Sequence, residues 1–239
     1  MWTDRTELLI GPDGLRRLCE ARVVVVGVGG VGAAAAEMLV RAGVGHIVLV
    51  DSDEVGETNI NRQLPALHST VGRSKCAVLR ERFMDINPQL DVECVEEYVC
   101  EDNVSALLGH RKIDFLVDAI DTLSPKMALI RFCLDNRVPL VSSMGSGAKT
   151  DATAVRVADI SGTRQCPLAR AIRKRLYHLG ITGGFKAVYS EETPHKDSMV
   201  LEESRNKRSQ VGTISYMPTV FGCICAQVAI LGILEAVLK

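Results

Sequence analysis

The sequence lacks an excess of charge of either sign. Its 28 Lys and Arg residues nearly balance 29 Asp and Glu residues, for a net charge of -1, and 47% of the residues are hydrophobic. This composition gives no sign of disorder and allows a sizeable core. The opening MWTDRTELLI contains an acid and no long apolar run, so we expect no signal peptide.

The sequence also lacks a CxxC pair, the spacing typical of structural zinc sites. Its eight cysteines are scattered, and without a secretion signal they predict reduced thiols in a cytosolic protein. Cys223 and Cys225 form a CxC on an apolar helix, where the two thiols face different directions and packing is the favoured interpretation. Cys166 lies in a plausible catalytic loop, but no neighbouring His indicates an activated thiolate, so a functional thiol is disfavoured.

The chain is organised around residues 23–53, which predict a strand, a glycine turn, a helix and a second strand. In the GVGGVG turn, Gly27 permits the tight turn, Gly29 admits a phosphate, and Gly32 allows the helix to pack closely on the strand; Gly30 completes the run. The helix N-terminus attracts an anion, and Asp51 ends the second strand within reach of a ribose hydroxyl. This pattern predicts a nucleotide site, but it fits NAD as well as ATP.

A long polar loop after Asp51 favours ATP. It is followed by a helix from Gly72 to Ile86. Cations on the loop and at the start of that helix would neutralise a triphosphate before a carboxylate approaches. The candidate residues of this region are Asp53, Asn59, Arg62, Gln63 and Lys75.

The apolar strand from Ile113 delivers two acids at its C-terminal end. Ligands of parallel sheets bind beyond this end, so we expect Asp121 to face the glycine turn and to bind Mg2+. For Asp118, a structural role at the end of the strand and a metal role are equally favoured. A second glycine turn, Met144 to Ala148, is interpreted as a sharp strand exit that could also line the crevice.

The remaining segments suggest four further features. Thr3 to Glu20 predicts a helical lead-in broken at Gly11 and Pro12. Residues 164–208 carry ten basic against five acidic residues, a local excess suited to a polyanion, and Gly180 to Gln210 predicts a mobile substrate-binding loop. Phe221 to Leu238 could be mistaken for a membrane span, but we favour a helix buried on the sheet or in a dimer, with peripheral membrane association as the minor alternative.

Four motifs together carry a family resemblance. GVGGVG, VDSDEVGETNINRQ, GRSK and VDAIDT, in this order, resemble the ubiquitin-activating-type (ThiF/MoeB-like) adenylating superfamily, over about residues 23 to 150. Within it, TNINRQ, DAIDT and QCPLARAIRKRL most resemble the tRNA threonylcarbamoyladenosine dehydratases. That family implies ATP-dependent cyclisation of the modified adenosine at tRNA position 37 through a carboxyl adenylate, with release of AMP and pyrophosphate.

The resemblance also implies roles for individual residues. It assigns the glycine turn, Asp51 and the candidates of the long loop to ATP, and Asp121 to Mg2+. Arg5, in DRTELL, matches an arginine that the superfamily lends to its partner subunit, which implies a homodimer, although the arm could also fold back in cis. The implied partners are tRNA carrying threonylcarbamoyladenosine and, as a further candidate, an accessory sulfur-transfer protein.

We therefore expect an α/β chain with a Rossmann-like, doubly wound, mostly parallel sheet and a C-terminal substrate-binding extension. Its divisions would be a helical arm at 1–22, an ATP-binding adenylating domain at 23–160, and a basic segment with the apolar helix at 161–239. Three alternatives stay open. They are an adenylyltransferase acting on the C-terminal glycine of a ubiquitin-like sulfur carrier, an NAD-dependent oxidoreductase, and a non-catalytic module that binds ATP.

Overall fold

The fold is given by a computed structural model, which describes residues 1–201 and 209–235. A seven-stranded sheet forms its centre, with strand order β3-β2-β1-β4-β5-β7-β6. All neighbours pair in parallel except β7 and β6. The strands are β1 (Arg22–Val26), β2 (His46–Val50), β3 (Asp91–Val95), β4 (Phe115–Asp118), β5 (Leu140–Ser143), β6 (Val155–Asp159) and β7 (Lys186–Ser190). The expected doubly wound, mostly parallel sheet is confirmed.

Helices cover both faces of the sheet. They are α1 (Asp4–Glu20), α2 (Gly30–Ala42), α3 (Lys75–Ile86), α4 (Val104–Leu108), α5 (Leu123–Asp135), α6 (Pro167–His178) and α7 (Tyr216–Leu234). One core contains residues of α2, α3 and α7, and the other contains residues of α4, α5 and α6. Alternate valines of β1 belong to alternate cores, as the two-residue period of a strand requires.

The chain reverses its winding direction between β1 and β4. From β1 it proceeds outward to β2 and β3, and it then returns to the other side of β1 to form β4. Crevices for ligands open at such a switch point, beyond the carboxyl ends of the strands. The glycine turn follows β1 and Asp121 follows β4, so both lie at this point.

Strand β7 corrects the expectation of a mobile loop from Gly180 to Gln210. Lys186–Ser190 lies inside the sheet, between β5 and β6, and four of its five residues are buried. A short hairpin, β8 (Met199–Leu201) with β9 (Ser209–Val211), follows it. Residues 202–208, which include three of the predicted basic residues, lie outside the described part of the chain. Because residues 180–210 as a whole are poor in apolar residues, the short buried strand within them was not predicted.

The apolar C-terminal helix is longer at its start than predicted. α7 begins at Tyr216 instead of Phe221, and residues 236–238 of the expected helix lie outside the described residues. By length and composition α7 could span a membrane. It packs, however, on α2, α1 and the sheet. A Cβ on Gly222 would lie 2.4 Å from the backbone oxygen of Val31, so glycine allows the close approach of α7 to α2.

The N-terminal arm is a helix with the expected break. Gly11 adopts a φ of 76° inside α1, next to Pro12. The arm contacts the C-terminal end of α2, because a Cβ on Gly43 would lie 2.9 Å from Leu15 and 3.8 Å from the Thr3 side chain. Gly43 is at the end of α2 away from the glycine turn, so α1 lies at the far end of the molecule from the switch point.

Candidate adenylating site

The glycine turn has the geometry of a phosphate-binding loop. Gly27 adopts a φ of 83°, and its N-H donates to the backbone oxygen of Val50 at 2.8 Å. A Cβ on Gly32 would lie 1.7 Å from the Gly27 oxygen, so the first turn of α2 can approach β1 only with glycine there. Gly29 caps α2 without a side-chain bond to the helix N-terminus. The N-H groups of that terminus are therefore suited to an anion.

Gly30 has a different environment from the other glycines. A Cβ there would lie 2.8 Å from Pro218 of α7 and 3.1 Å from the backbone oxygen of Arg62. The turn is thus enclosed between α7 and the polar loop that follows β2. Gly30 serves this close packing.

Asp51 connects the glycine turn to the end of β2. Its Oδ2 accepts from Val28 N-H at 2.7 Å, and its Oδ1 accepts from Asp53 N-H at 2.8 Å. Burial raises the pKa of Asp51 above its ordinary value, opposed by the charge of Lys75 and by these two backbone bonds. Each carboxylate oxygen keeps lone pairs beyond the ones used, so Asp51 can still accept from a ribose hydroxyl.

Lys75 and Asp53 form an ion pair beside this turn. The Lys75 Nζ lies 2.8 Å from Asp53 Oδ2, with the lysine side chain buried at 6% and the aspartate exposed at 68%. Ser74 caps α3 by accepting from the Ala77 N-H, which fixes Lys75 as the first residue of the helix. The buried Lys75 is therefore held near the turn by Asp53, an exposed partner from which it can be released.

Asn59, Arg62 and Gln63 lie on one turn of the polar loop. The Asn59 side-chain oxygen accepts from Gly56 N-H at 3.0 Å, and its backbone oxygen accepts from Arg62 N-H at 3.0 Å and from Gln63 N-H at 2.9 Å. The Arg62 Nη1 donates to the Thr58 backbone oxygen at 2.8 Å. The Arg62 backbone oxygen and the Gln63 amide lie against the glycine turn, next to Gly30 and Gly29 respectively.

Gln63 has an unsatisfied buried atom. Its Nε2 lies 3.5 Å from the position of a Cβ on Gly29, and its Oε1 is buried without a hydrogen-bond partner among the described residues. Buried polar atoms are nearly always bonded. An orphaned amide oxygen against the phosphate turn fits a bound molecule that supplies the missing donor.

Asp121 is exposed and follows the turn at the end of β4. A Cβ on Gly27 would lie 2.9 Å from the Ala119 oxygen and 3.2 Å from the Ile120 nitrogen, so this turn contacts the glycine turn directly. The described residues contain no cluster of three or more potential metal ligands. One carboxylate beside a triphosphate fits Mg2+, which keeps waters and uses few protein ligands.

Asp118 has a structural environment, and its partner Lys126 was not anticipated from the sequence. Both side chains are fully buried, with the Lys126 Nζ 2.7 Å from Asp118 Oδ2. Ser142 Oγ donates to the same carboxylate oxygen at 2.6 Å. The pair also holds both backbone groups of Ile120, through Asp118 Oδ1 at 3.1 Å and Lys126 Nζ at 2.9 Å. It thereby fixes the peptide that precedes Asp121.

Arg5 stands apart from all these residues. It is exposed on the first turn of α1, two residues after Thr3, whose side chain contacts Gly43. The 13 residues of α2 separate Gly43 from the glycine turn, which corresponds to about 20 Å at 1.5 Å per residue. The structure thus brings together the predicted site residues except Arg5.

A family model described as the ThiF family matches residues 3–237 of the chain. The chain belongs to the ThiF family. This ThiF protein is 44% identical over 190 residues to the tRNA threonylcarbamoyladenosine dehydratase of Bacillus subtilis, covering 80% of this chain and 74% of that protein. It is 43% identical over 178 residues to the enzyme of that name from Escherichia coli K12, covering 73% and 66%.

A solved structure extends the likeness to nearly the whole ThiF chain. The crystal structure of the E. coli tRNA N6-threonylcarbamoyladenosine dehydratase in complex with ATP matches with a TM-score of 0.89 and 34% identity. The match covers 98% of this chain and 94% of that one. The expected family is confirmed.

Proposed function

We propose that this protein is an ATP-dependent tRNA threonylcarbamoyladenosine dehydratase that acts by carboxyl adenylation. The observation that carries the proposal is the match, over 98% of the chain, to a dehydratase of that name in complex with ATP. Arg62 and Lys75, on the loop and the helix beside the glycine turn, support ATP over NAD independently, because such cations can neutralise a triphosphate.

The reaction joins two steps in one crevice. The threonyl carboxylate of the modified adenosine attacks the α-phosphorus of ATP, giving an acyl-adenylate and pyrophosphate. The carbamoyl group then attacks the activated carbonyl and expels AMP, so the nucleoside loses the elements of water. No covalent bond to the enzyme is required, which agrees with a buried Cys166.

In this proposal the cations of the loop stabilise the phosphate charge that develops in the first step. Lys75 would exchange its exposed partner Asp53 for phosphate oxygens, and Arg62 would exchange its bonds to the Thr58 backbone oxygen and to Asn61. Asp121 would hold Mg2+, which supplies charge neutralisation at the phosphates. The exposed Asp121 follows the Ile120 peptide, which the buried Asp118 and Lys126 pair holds in place, and this supports the assignment.

A homodimer is supported by the position of Arg5. Arg5 follows Thr3, which lies against Gly43 at the end of α2 that is about 20 Å from the glycine turn of its own chain. In this proposal Arg5 therefore acts in the site of a second copy. The same arm carries Trp2, 51% exposed, with Leu8 and Leu9, 87% and 85% exposed. Apolar side chains at this exposure are suited to an interface between copies.

Helix α6 is our proposed surface for the tRNA backbone. It buries an apolar face and exposes its basic one, and it contains no acidic residue. A cleft of about 350 Å³ on this surface is lined in part by Arg170, Arg173, Lys174 and Tyr177. Tyr177 is 72% exposed, and an exposed ring beside arginines suits an unstacked base. We propose that residues 161–239 supply substrate contacts through α6 while also completing the sheet.

The proposed activity is tested by pyrophosphate exchange with Mg-ATP and tRNA that either carries or lacks threonylcarbamoyladenosine. We expect exchange, AMP release and loss of one water from the nucleoside only with the modified tRNA. Turnover with a ubiquitin-like sulfur carrier and silence with both tRNAs would contradict the proposal.

The tRNA surface has its own test. The double variant Arg170→Glu with Lys174→Glu should weaken tRNA binding and reduce the slope of log affinity against log salt by about 1 to 2. ATP affinity should not change. Lys112→Glu, at an exposed lysine of the loop before β4, is the control, and an equal loss with it would refute α6 as the surface. We expect a cytoplasmic protein, where its tRNA substrate is found; an accessory sulfur-transfer protein stays a further candidate partner.

A further inference from the structure

A buried lysine lies beside the crevice without a carboxylate partner. Lys149 lies in the loop after β5 and is 3% exposed. Its Nζ donates to the backbone oxygen of Gly145 at 2.6 Å. Among the residues that the structure describes, no carboxylate forms an ion pair with it. The acid whose charge acts on it, Glu192, instead accepts from the backbone N-H groups of Thr150 and Asp151, at 3.0 and 2.8 Å.

Folding gains little from a lysine at this position. An ammonium group carries three donors, and one backbone bond does not compensate for the loss of its hydration. Burial lowers the pKa of Lys149, opposed by the Cys166 thiol and by Glu192. The charged form is therefore less stable in the folded protein than in water, which calls for a reason other than stability.

The loop that carries Lys149 is linked to the proposed ATP cations. A Cβ on Gly147 would lie 3.2 Å from Thr213 Oγ1. The Thr213 backbone oxygen accepts from Asn61 Nδ2 at 3.0 Å, and Asn61 Oδ1 accepts from Arg62 Nη1 at 2.8 Å. Thr213 and Asn61 therefore connect this loop to the arginine of the proposed phosphate site.

The other side of the same loop contacts the start of the basic helix. The Cys166 Sγ lies 3.9 Å from the position of a Cβ on Gly145, and Cys166 caps the N-terminus of α6. Lys149 is thus between the proposed sites for ATP and for the tRNA backbone. The side chain of a modified adenosine has to cross this interval to bring its carboxylate to the α-phosphorus.

We propose that Lys149 binds the carbamoyl and acyl oxygens of the modified adenosine and stabilises the oxyanion formed during ring closure. This inference rests on the proposed function. In that step a bond forms between the carbamoyl nitrogen and the acyl carbon, and the acyl carbon-oxygen bond to AMP breaks. AMP leaves with the electron pair, and the nitrogen gives its proton to solvent. A desolvated cation beside the acyl oxygen is worth more there than in water.

The test separates the two steps in Lys149→Met, with Lys112→Met as the matched control at an exposed lysine. We expect pyrophosphate exchange with modified tRNA to stay within about threefold of wild type, whereas single-turnover formation of the cyclised nucleoside falls about 100-fold, the scale of losing one oxyanion donor. The midpoint of thermal unfolding should stay equal or rise, because a costly buried charge is removed.

Other outcomes overturn the inference. Cyclisation at the wild-type rate would do so, and so would an equal fall in exchange and cyclisation together with lost ATP binding, which indicates damage to the nucleotide site. If the methionine variant does not fold, Lys149→Gln keeps a donor for the Gly145 oxygen and should show the same selective loss. Failure of the wild-type protein to convert modified tRNA would instead refute the proposed function.

Discussion

Replacing Lys126 by Met tests the buried ion pair beneath the Asp121 turn. The variant keeps the length and apolar stem of the side chain and removes its charge. It leaves Asp118 charged at 0% exposure, with Ser142 and the Ile120 N-H as its remaining partners. It also removes the donor of the Ile120 backbone oxygen.

The expected loss of stability is large. Removing one partner of a buried pair costs about 3 to 5 kcal/mol, because the remaining charge is uncompensated. The orphaned Ile120 oxygen contributes part of this, about 1 kcal/mol. For a chain of this size each kcal/mol lowers the unfolding midpoint by about 2 to 4 °C, so a fall of about 6 to 20 °C is expected.

The assay is urea unfolding of the wild type, both single variants and the double variant Asp118→Asn with Lys126→Met, at one protein concentration. The neutral double variant should recover most of the stability lost by Lys126→Met, since it leaves no buried charge. The reasoning would be refuted if the free energy of unfolding of Lys126→Met stayed within about 1 kcal/mol of wild type. It would also be refuted if the double variant lost as much stability as the two single variants added together.

Three further predictions concern the turn, the dimer and a buried acid. Gly32→Ala should abolish ATP binding and lower the thermal midpoint, because its Cβ would lie 1.7 Å from a backbone oxygen; Gly56→Ala, with its nearest neighbour at 3.6 Å, is the control in the same nucleotide-binding assay. Asp121→Ala should keep its fold and lose ATP turnover. Mixed with an equal amount of Arg5→Ala, it should regain about a quarter of the wild-type activity, because half of the dimers carry one complete site; no recovery would argue for action in cis. Burial raises the pKa of Glu37, but hydrogen bonds from Arg82 and Arg41 outweigh this effect, so the pKa is lowered overall. The ionised Glu37 therefore stabilises the fold fully above the unfolded pKa of about 4.3, and this contribution is lost as the pH falls through the lower folded pKa. Glu37→Gln should match the stability of the wild type only at acid pH in urea titrations.

The sequence was sufficient to predict those features that depend on contacts between residues close together in the chain. The unit of β1, glycine turn, α2 and β2 was predictable because its periodicity and its glycines act within about 30 residues. The break in α1 at Gly11 followed from local backbone chemistry in the same way. Cys223 and Cys225 differ in burial, exposed against buried, as their spacing on a helix implied.

Contacts between distant residues were not predictable in this way. β7 was not predicted because its five residues lie within a long segment of low apolar content. Its place between β5 and β6 depends on pairing with strands distant in the sequence, which no local pattern encodes. Lys126 and Lys149 look like surface residues in sequence, because lysine is rarely buried. An apolar stretch around Lys126, MALIRFC, was the available signal for its burial.

The sequence by itself determined the type of sheet and the glycine turn, because both depend on short-range periodicity and on glycine conformation; the residues that it assigns to ATP stay a prediction. The tertiary structure decided which acids are buried and which are exposed. It buries Asp118 against Lys126 and leaves Asp121 exposed, and it moves Arg5 to the far end of α2. Charge in a protein acquires its role from burial and partners, and both are set by residues far apart in the chain.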